Sequence, residues 1–99
     1  MTRRLERPPT TPGEILQEEF LTPMGVTQKE LADHIGCDVK VINRLVNGRT
    51  RVSASLAIRL ASALRTTPDF WLNAQKEVDL FEEYRRAVTL PEPLARSGS

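Results

Sequence analysis

Residues 27–52, TQKELADHIGCDVKVINRLVNGRTRV, decide the fold. Thr27-Gln28-Lys29-Glu30 has the form of a capping box, in which a threonine hydroxyl and a glutamate three residues on satisfy free amides where a helix begins. Leu31, Ala32 and Ile35 then recur on one side, and Gly36 tolerates the positive φ that a chain reversal requires. Asp38 is suited to cap a second helix running to about Val46, with Val41, Ile42 and Leu45 facing inward. Asn47-Gly48 stops that helix, and Arg49-Thr50-Arg51 makes the following loop basic. Ala32 supplies the small residue needed where two helices cross steeply. Together these features form a helix-turn-helix pattern, whose second helix enters the major groove of DNA.

Base reading needs side chains with paired donors and acceptors on the outward face of that helix. Val39, Lys40, Asn43 and Arg44 occupy it. Asn43 matches the edge of adenine, Lys40 or Arg44 that of guanine, and Val39 the methyl of thymine. Gln28, at the start of the preceding helix, together with Arg49 and Arg51 in the basic loop, suits phosphates. Asn47 serves the turn and is a further phosphate candidate.

Net charge does not announce a nucleic-acid partner, since it is only +1. Its distribution does. No acid lies between Asp38 and Asp69, whereas Lys40, Arg44, Arg49, Arg51, Arg59 and Arg65 all do. The acids gather before and after, at Glu14, Glu18 and Glu19, then at Glu77, Asp79, Glu82 and Glu83. A near-neutral molecule with one basic face can still bind DNA.

Working outward, Thr11-Pro12-Gly13-Glu14 is a second capping box with proline at the first helical position. Its helix turns Ile15, Leu16 and Phe20 inward and Glu14, Gln17 and Glu18 to water, and Pro23 and Gly25 end it. Ser53 caps a helix with Leu56, Ala57, Leu60, Ala61 and Leu64 on one stripe, which reads as core. Thr67-Pro68 opens a long last helix. There Trp71, Ala74, Val78 and Phe81 alternate at spacings of three and four, while Phe70, Leu72, Leu80 and Tyr84 widen the apolar surface. That is more than one small core can cover, so either this helix caps the monomer or part of it is a subunit interface, with Phe70, Trp71, Val78, Phe81 and Tyr84 as candidates, and the two can hold together. The organisation expected is an N-terminal arm over residues 1–10, a single all-α, five-helix domain over 11–88, and a tail over 89–99.

Enzyme chemistry finds little footing. The chain has one histidine, His34, and one cysteine, Cys37, so neither an internal disulfide nor a multi-cysteine metal site is available. No glycine-rich phosphate loop and no catalytic spacing occur, and no metal or other cofactor is expected. Without a long apolar run or a secretory signal, the expected compartment is the cytoplasm, with no membrane partner.

Over most of its length the chain resembles the HigA-type antitoxins of bacterial toxin–antitoxin modules. The resemblance is carried by TPGEILQEEFLTPMGVTQKELADHIG (11–36) and INRLVNGRTRVSASLAIRLASALRTTPDFWLNAQ (42–75). Its most specific parts are the Pro-Gly-Glu-Ile-Leu opening and the Thr-Pro-Asp-Phe-Trp-Leu-Asn segment. The resemblance implies a phage-repressor-like helical domain that forms a homodimer through its C-terminal helices and binds a palindromic operator in its own promoter. It also implies a partner, a small basic RelE-like ribonuclease toxin of the HigB type. Glu14, Glu18 and Glu19 are candidates to meet such a toxin, though a solvated helix face explains them equally well. Two departures are clear: the family's usual glycine after the fourth helix is replaced by Arg65-Thr66, and the tail after Leu80 is less family-like. A stand-alone repressor and a protein-interaction module without DNA binding are the alternatives.

Overall fold

The structure, a computed structural model, describes residues 7–87 and 89–95. Arg3 and Arg4 of the expected arm and the Ser-Gly-Ser end of the expected tail lie outside them. Among the described residues there are five helices and no strand. Helix α1 covers residues 12–24, α2 is Gln28–Ile35, α3 Val39–Val46, α4 Ala54–Leu64 and α5 Pro68–Arg86.

All five starts carry a side-chain cap. Thr11, Thr27, Asp38, Ser53 and Thr67 are extended in backbone, and each accepts a hydrogen bond from a first-turn amide. Both capping boxes close reciprocally. Glu14 N donates to Thr11 Oγ1 at 3.1 Å and Thr11 N to Glu14 Oε1 at 3.0 Å, with 3.0 and 2.9 Å for Thr27 and Glu30.

Helix α1 departs from the expectation that Pro23 helps to end it. It continues through Pro23 to Met24, and only Gly25, at φ 69°, closes it. Its middle, Leu16–Leu21, is wound more loosely, with the Thr22 amide donating to Gln17 O, five residues back. Proline has no N–H, and its ring would crowd the carbonyl four residues earlier; a wider turn accommodates both. The looser winding also puts Leu16 and Leu21 into the core together, at 0% and 1% exposure. An α-helical reading of the sequence leaves Leu21 out.

The core is one cluster drawn from every helix: Leu16 and Leu21, Leu31 and Ala32, Ile42 and Leu45, the α4 stripe from Leu56 to Leu64, and Trp71, with Val52 from the α3–α4 loop. Helix α1 packs on α3 and α5, α2 on α3 and α4, and α4 on α5. The α1–α3 approach is close because residue 13 is glycine. A Cβ there would overlap the Leu45 carbonyl oxygen and stand 2.7 Å from the Leu45 carbonyl carbon and 2.8 Å from Val46 Cα. Helix α1 is thus a strut behind the C-terminal end of α3.

The corner after α4 keeps its form without glycine. Arg65 itself adopts the left-handed conformation, φ 57° and ψ 43°, and Thr66 N donates to Ala61 O at 3.0 Å. Thr66 then has a second use, since the fully buried Trp71 donates its indole N–H to Thr66 Oγ1 at 2.7 Å. Phe20 and Phe70 flank that indole, with ring centroids 5.5 and 5.0 Å away.

Candidate nucleic-acid interface

Helix α3 owes its orientation to two buried residues, Ile42 and Leu45, which turn the opposite side outward. Val39, Lys40, Asn43, Arg44 and Asn47 are all exposed there, spaced three and four apart along one side. The Asp38 carboxylate caps the helix through Lys40 N at 2.8 Å. Among the described residues Lys40, Arg44 and Arg49 enter no ion pair with the protein. Three cationic side chains therefore face outward around an uncharged amide.

Gln28, half-buried at the first position of α2, lies beside this surface and accepts from Asn43 Nδ2 at 3.1 Å. Asn47 donates to the Asn43 backbone carbonyl at 3.0 Å and to Asn43 Oδ1 at 3.3 Å. The turn role of Asn47 is visible in the same place: it ends α3 before Gly48 at φ 71°, and Arg49 N reaches back to Arg44 O at 2.8 Å. The structure thus brings Gln28, Asn43 and Asn47 together, with Lys40 and Arg44 alongside.

Two arginines of the acid-free stretch have structural partners instead. Arg51, expected at a phosphate, forms a two-pronged ion pair with Asp79 of α5, both N–O distances being 2.7 Å. Opposite charge in that fork geometry satisfies the guanidinium within the protein. Those hydrogen bonds hold the Asp79 carboxyl below its ordinary range, partial burial opposing them. Arg59 donates to Ile35 O and Gly36 O, both at 3.1 Å, and so caps the C-terminal carbonyls of α2 from α4.

Gln75 completes this arrangement. It is the one buried polar residue among those described, at 8% exposure. Its Oε1 accepts from Val52 N at 3.1 Å, while its Nε2 donates to Asp79 Oδ1 at 3.1 Å. The loop after α3 is therefore tied to α5 twice, through Arg51 and through the Val52 amide. The pairing roles of Gln75 and Asp79 are not legible in the sequence because their partners lie 23 and 28 residues away.

The interface expectations on α5 divide. Trp71 is 0% exposed within the single chain and has no surface left to give a partner; its place in the candidate interface is corrected, because Phe20, Phe70 and Thr66 already enclose it. Phe81 is also buried, at 8%, with the Arg85 guanidinium 5.7 Å from its ring centre. Phe70 and Tyr84 are exposed at 37% and 40%, and Val78 is half-buried. Of the three acids on α1, Glu14 is engaged in its capping box, whereas Glu18 and Glu19 are exposed.

His34 is exposed on α2, and Cys37 is half-buried in the turn, where partial burial raises its thiol pKa and Arg59 opposes that rise. Among the described residues no group of three or more His, Cys, Asp or Glu could hold a metal ion, and no helix is long and apolar enough to cross a membrane.

Known proteins share this architecture. Residues 17–71 match a helix-turn-helix family model. Antitoxin HigA-1 of Vibrio cholerae serotype O1 is 45% identical over 84 residues, which are 85% of this chain and 79% of that protein. Among solved structures, the antitoxin GraA is 41% identical with a TM-score of 0.78, covering 81% of this chain and 86% of its own. Pseudomonas aeruginosa antitoxin HigA, solved with the higBA promoter, is 35% identical with a TM-score of 0.76, over 79% of this chain and 85% of its own. The chain belongs to the helix-turn-helix family of HigA-type antitoxins.

Proposed function

We propose that the chain is an autoregulating antitoxin: a homodimer that represses its own operon through a palindromic operator and neutralises a HigB-type ribonuclease toxin. The unit that does so spans residues 11–88, acts in the cytoplasm and has no enzymatic activity of its own. The observation that carries the DNA half is the outward side of α3, where Lys40, Arg44 and Arg49 are exposed around Asn43 and, among the described residues, enter no ion pair. A relative of known structure held on promoter DNA supports the same reading. Asn43, Lys40, Arg44 and Val39 read bases, while Gln28, Asn47 and Arg49 hold phosphates. Arg51 acts by positioning the loop. The dimer forms through α5, with Tyr84, Val78 and the exposed part of Phe70 at the contact, and Glu18 and Glu19 meet the basic toxin.

The test is binding to the upstream DNA of its own gene across a salt series. Two copies of α3 should engage half-sites about 34–36 Å apart. Arg49→Ala should weaken binding to all sequences alike and lower the salt slope by about 0.9 for each phosphate no longer neutralised. Arg44→Ala should relax preference at one base pair of each half-site. Weak binding that ignores sequence, salt and both substitutions would refute the reading.

A further inference from the structure

Gln17 lies on α1, outside the helix-turn-helix, and was expected only to face water. It is half-buried, and it continues the amide contacts of the interface. Asn47 Nδ2 donates to Asn43 Oδ1 at 3.3 Å, Asn43 Nδ2 to Gln28 Oε1 at 3.1 Å, Gln28 Nε2 to Gln17 Oε1 at 3.4 Å, and Gln17 Nε2 to Thr22 Oγ1 at 3.0 Å. Four carboxamides thus run head to tail from the end of α3, across α2, onto α1.

A carboxamide can turn over, exchanging its donor and its acceptor, so one amide on a surface presents no fixed pattern. This chain removes that freedom, and its direction has an identifiable origin. Asn47 Nδ2 also donates to the Asn43 backbone carbonyl at 3.0 Å, and a carbonyl can only accept. Asn47 must therefore point its nitrogen at Asn43. The Asn43 oxygen faces that nitrogen, its own nitrogen faces the Gln28 oxygen, and the Gln28 nitrogen faces the Gln17 oxygen. At the far end Thr22 offers a hydroxyl, which accepts from the last amide. The chain engages one N–H and one side of the oxygen on Asn43. One N–H and one acceptor site remain, which is the pair an adenine edge requires.

We infer that Gln17 is a specificity-determining positioning residue for operator recognition, acting through Gln28 to reinforce the direction in which Asn47 sets the Asn43 amide. This rests on the proposal that Asn43 reads a base. Without an acceptor at position 17 the Gln28 amide is free to reverse, which takes the acceptor from Asn43 Nδ2 and leaves the 3.3 Å bond from Asn47 alone to hold the pattern that adenine requires.

The experiment measures affinities of wild type, Asn43→Ala, Gln17→Met, Gln17→Glu and the Asn43→Ala/Gln17→Met double variant. The DNA panel is the operator and every single-base variant of its half-site, and each protein's melting temperature serves as a folding control. Methionine keeps the shape of glutamine and lacks its acceptor, whereas glutamate keeps an acceptor for Gln28. Wild type should prefer adenine roughly tenfold or more at one position, and Asn43→Ala should abolish that preference. Gln17→Met should reduce it roughly two- to tenfold, the scale of one hydrogen bond, and leave other positions unchanged. Gln17→Glu should retain the preference while weakening binding to every sequence equally. The double variant should show no preference beyond that of Asn43→Ala.

If Asn43→Ala shifts the base preference and Gln17→Met does not, the inference fails and the DNA reading stands. An effect of Gln17→Met that is uniform across sequences, or persists unchanged without Asn43, overturns the inference as well. A wild type indifferent to sequence, or an Asn43→Ala that alters no position, overturns the base-reading proposal and this inference with it.

Discussion

Substituting Gly13 by alanine sets two effects against each other, and the structure decides between them. Intrinsic propensity favours alanine in a helix by up to ~1 kcal/mol. Packing opposes it. The new methyl would sit 2.7 and 2.8 Å from backbone carbons of Leu45 and Val46, where ordinary contacts between carbons lie at about 3.5–4.0 Å. The obstacle is main chain, so no rotamer change relieves it, and α1 must retreat from α3 by about 1 Å. Overpacking of this kind costs typically ~1–3 kcal/mol, occasionally more. With backbone on both sides the upper end applies, for a net loss of about 2 kcal/mol. For a domain of this size each kcal/mol lowers the melting temperature by about 4–8 °C. Gly13→Ala should therefore melt about 8–16 °C below wild type by circular dichroism. Gly25→Ala is the matched control. Its φ is 69° but nothing lies within 4 Å, so only conformational strain of ~1–2 kcal/mol acts, partly offset by the stiffer unfolded chain. A Gly13→Ala variant as stable as wild type, or more stable, would refute the close approach of α1 to α3.

Other perturbations test the remaining joints. Arg65→Gly relieves a left-handed non-glycine residue and should raise stability by about 0.5–1 kcal/mol in denaturant melts, after the looser unfolded chain is counted; a loss would contradict that corner. Thr66→Val leaves the buried Trp71 N–H without its acceptor and should cost about 1–3 kcal/mol, with altered tryptophan emission. The Asp79 pKa is lowered in the fold, so the stabilisation from its pair with Arg51 is complete above the unfolded carboxylate pKa and is lost as pH falls through the lower folded one. Acid titration of Asp79→Asn should lack that step, and an acid limb unchanged from wild type would count against the pair. Partial burial disfavours the Cys37 thiolate, so alkylation at pH 8 should be slower in the native protein than in the urea-unfolded chain; equal rates would place the thiol in open solvent.

What could be read from the sequence was local. Thr11 with Glu14 and Thr27 with Glu30 satisfy each other within one turn, so three-residue spacing was enough to find both helix starts. Gly36 and the Asn47-Gly48 turn were legible for the same reason. The apolar stripe of α5 was legible as a stripe, but periodicity says which face is apolar and not what covers it. Trp71 proved to be covered by its own chain. Arg51 looked like a free cation because its partner, Asp79, lies 28 residues on. Gln17 looked like a solvent-facing amide and Gln75 carried no signal of its own, and nothing near them in sequence foretells their bonds to Gln28 and Val52. Leu21 was hidden by the loosened winding upstream of Pro23, which shifts the register that an ideal helix would predict. Gly13 read as an ordinary helix opening, although its purpose is the room it leaves for Leu45.

The two ties between the α3–α4 loop and α5 have a thermodynamic consequence. Because Arg51 and the Val52 amide are both held by one helix, the basic loop cannot shift unless α5 shifts or lets go. In a dimer built through α5, ordering that helix against its twin also narrows the positions open to the loop. Self-association and operator affinity are then linked functions, each strengthening the other by the same factor. A toxin that drew Asp79 or Gln75 aside would loosen the grip on DNA without touching the reading helix, and operator DNA would resist that toxin to the same degree.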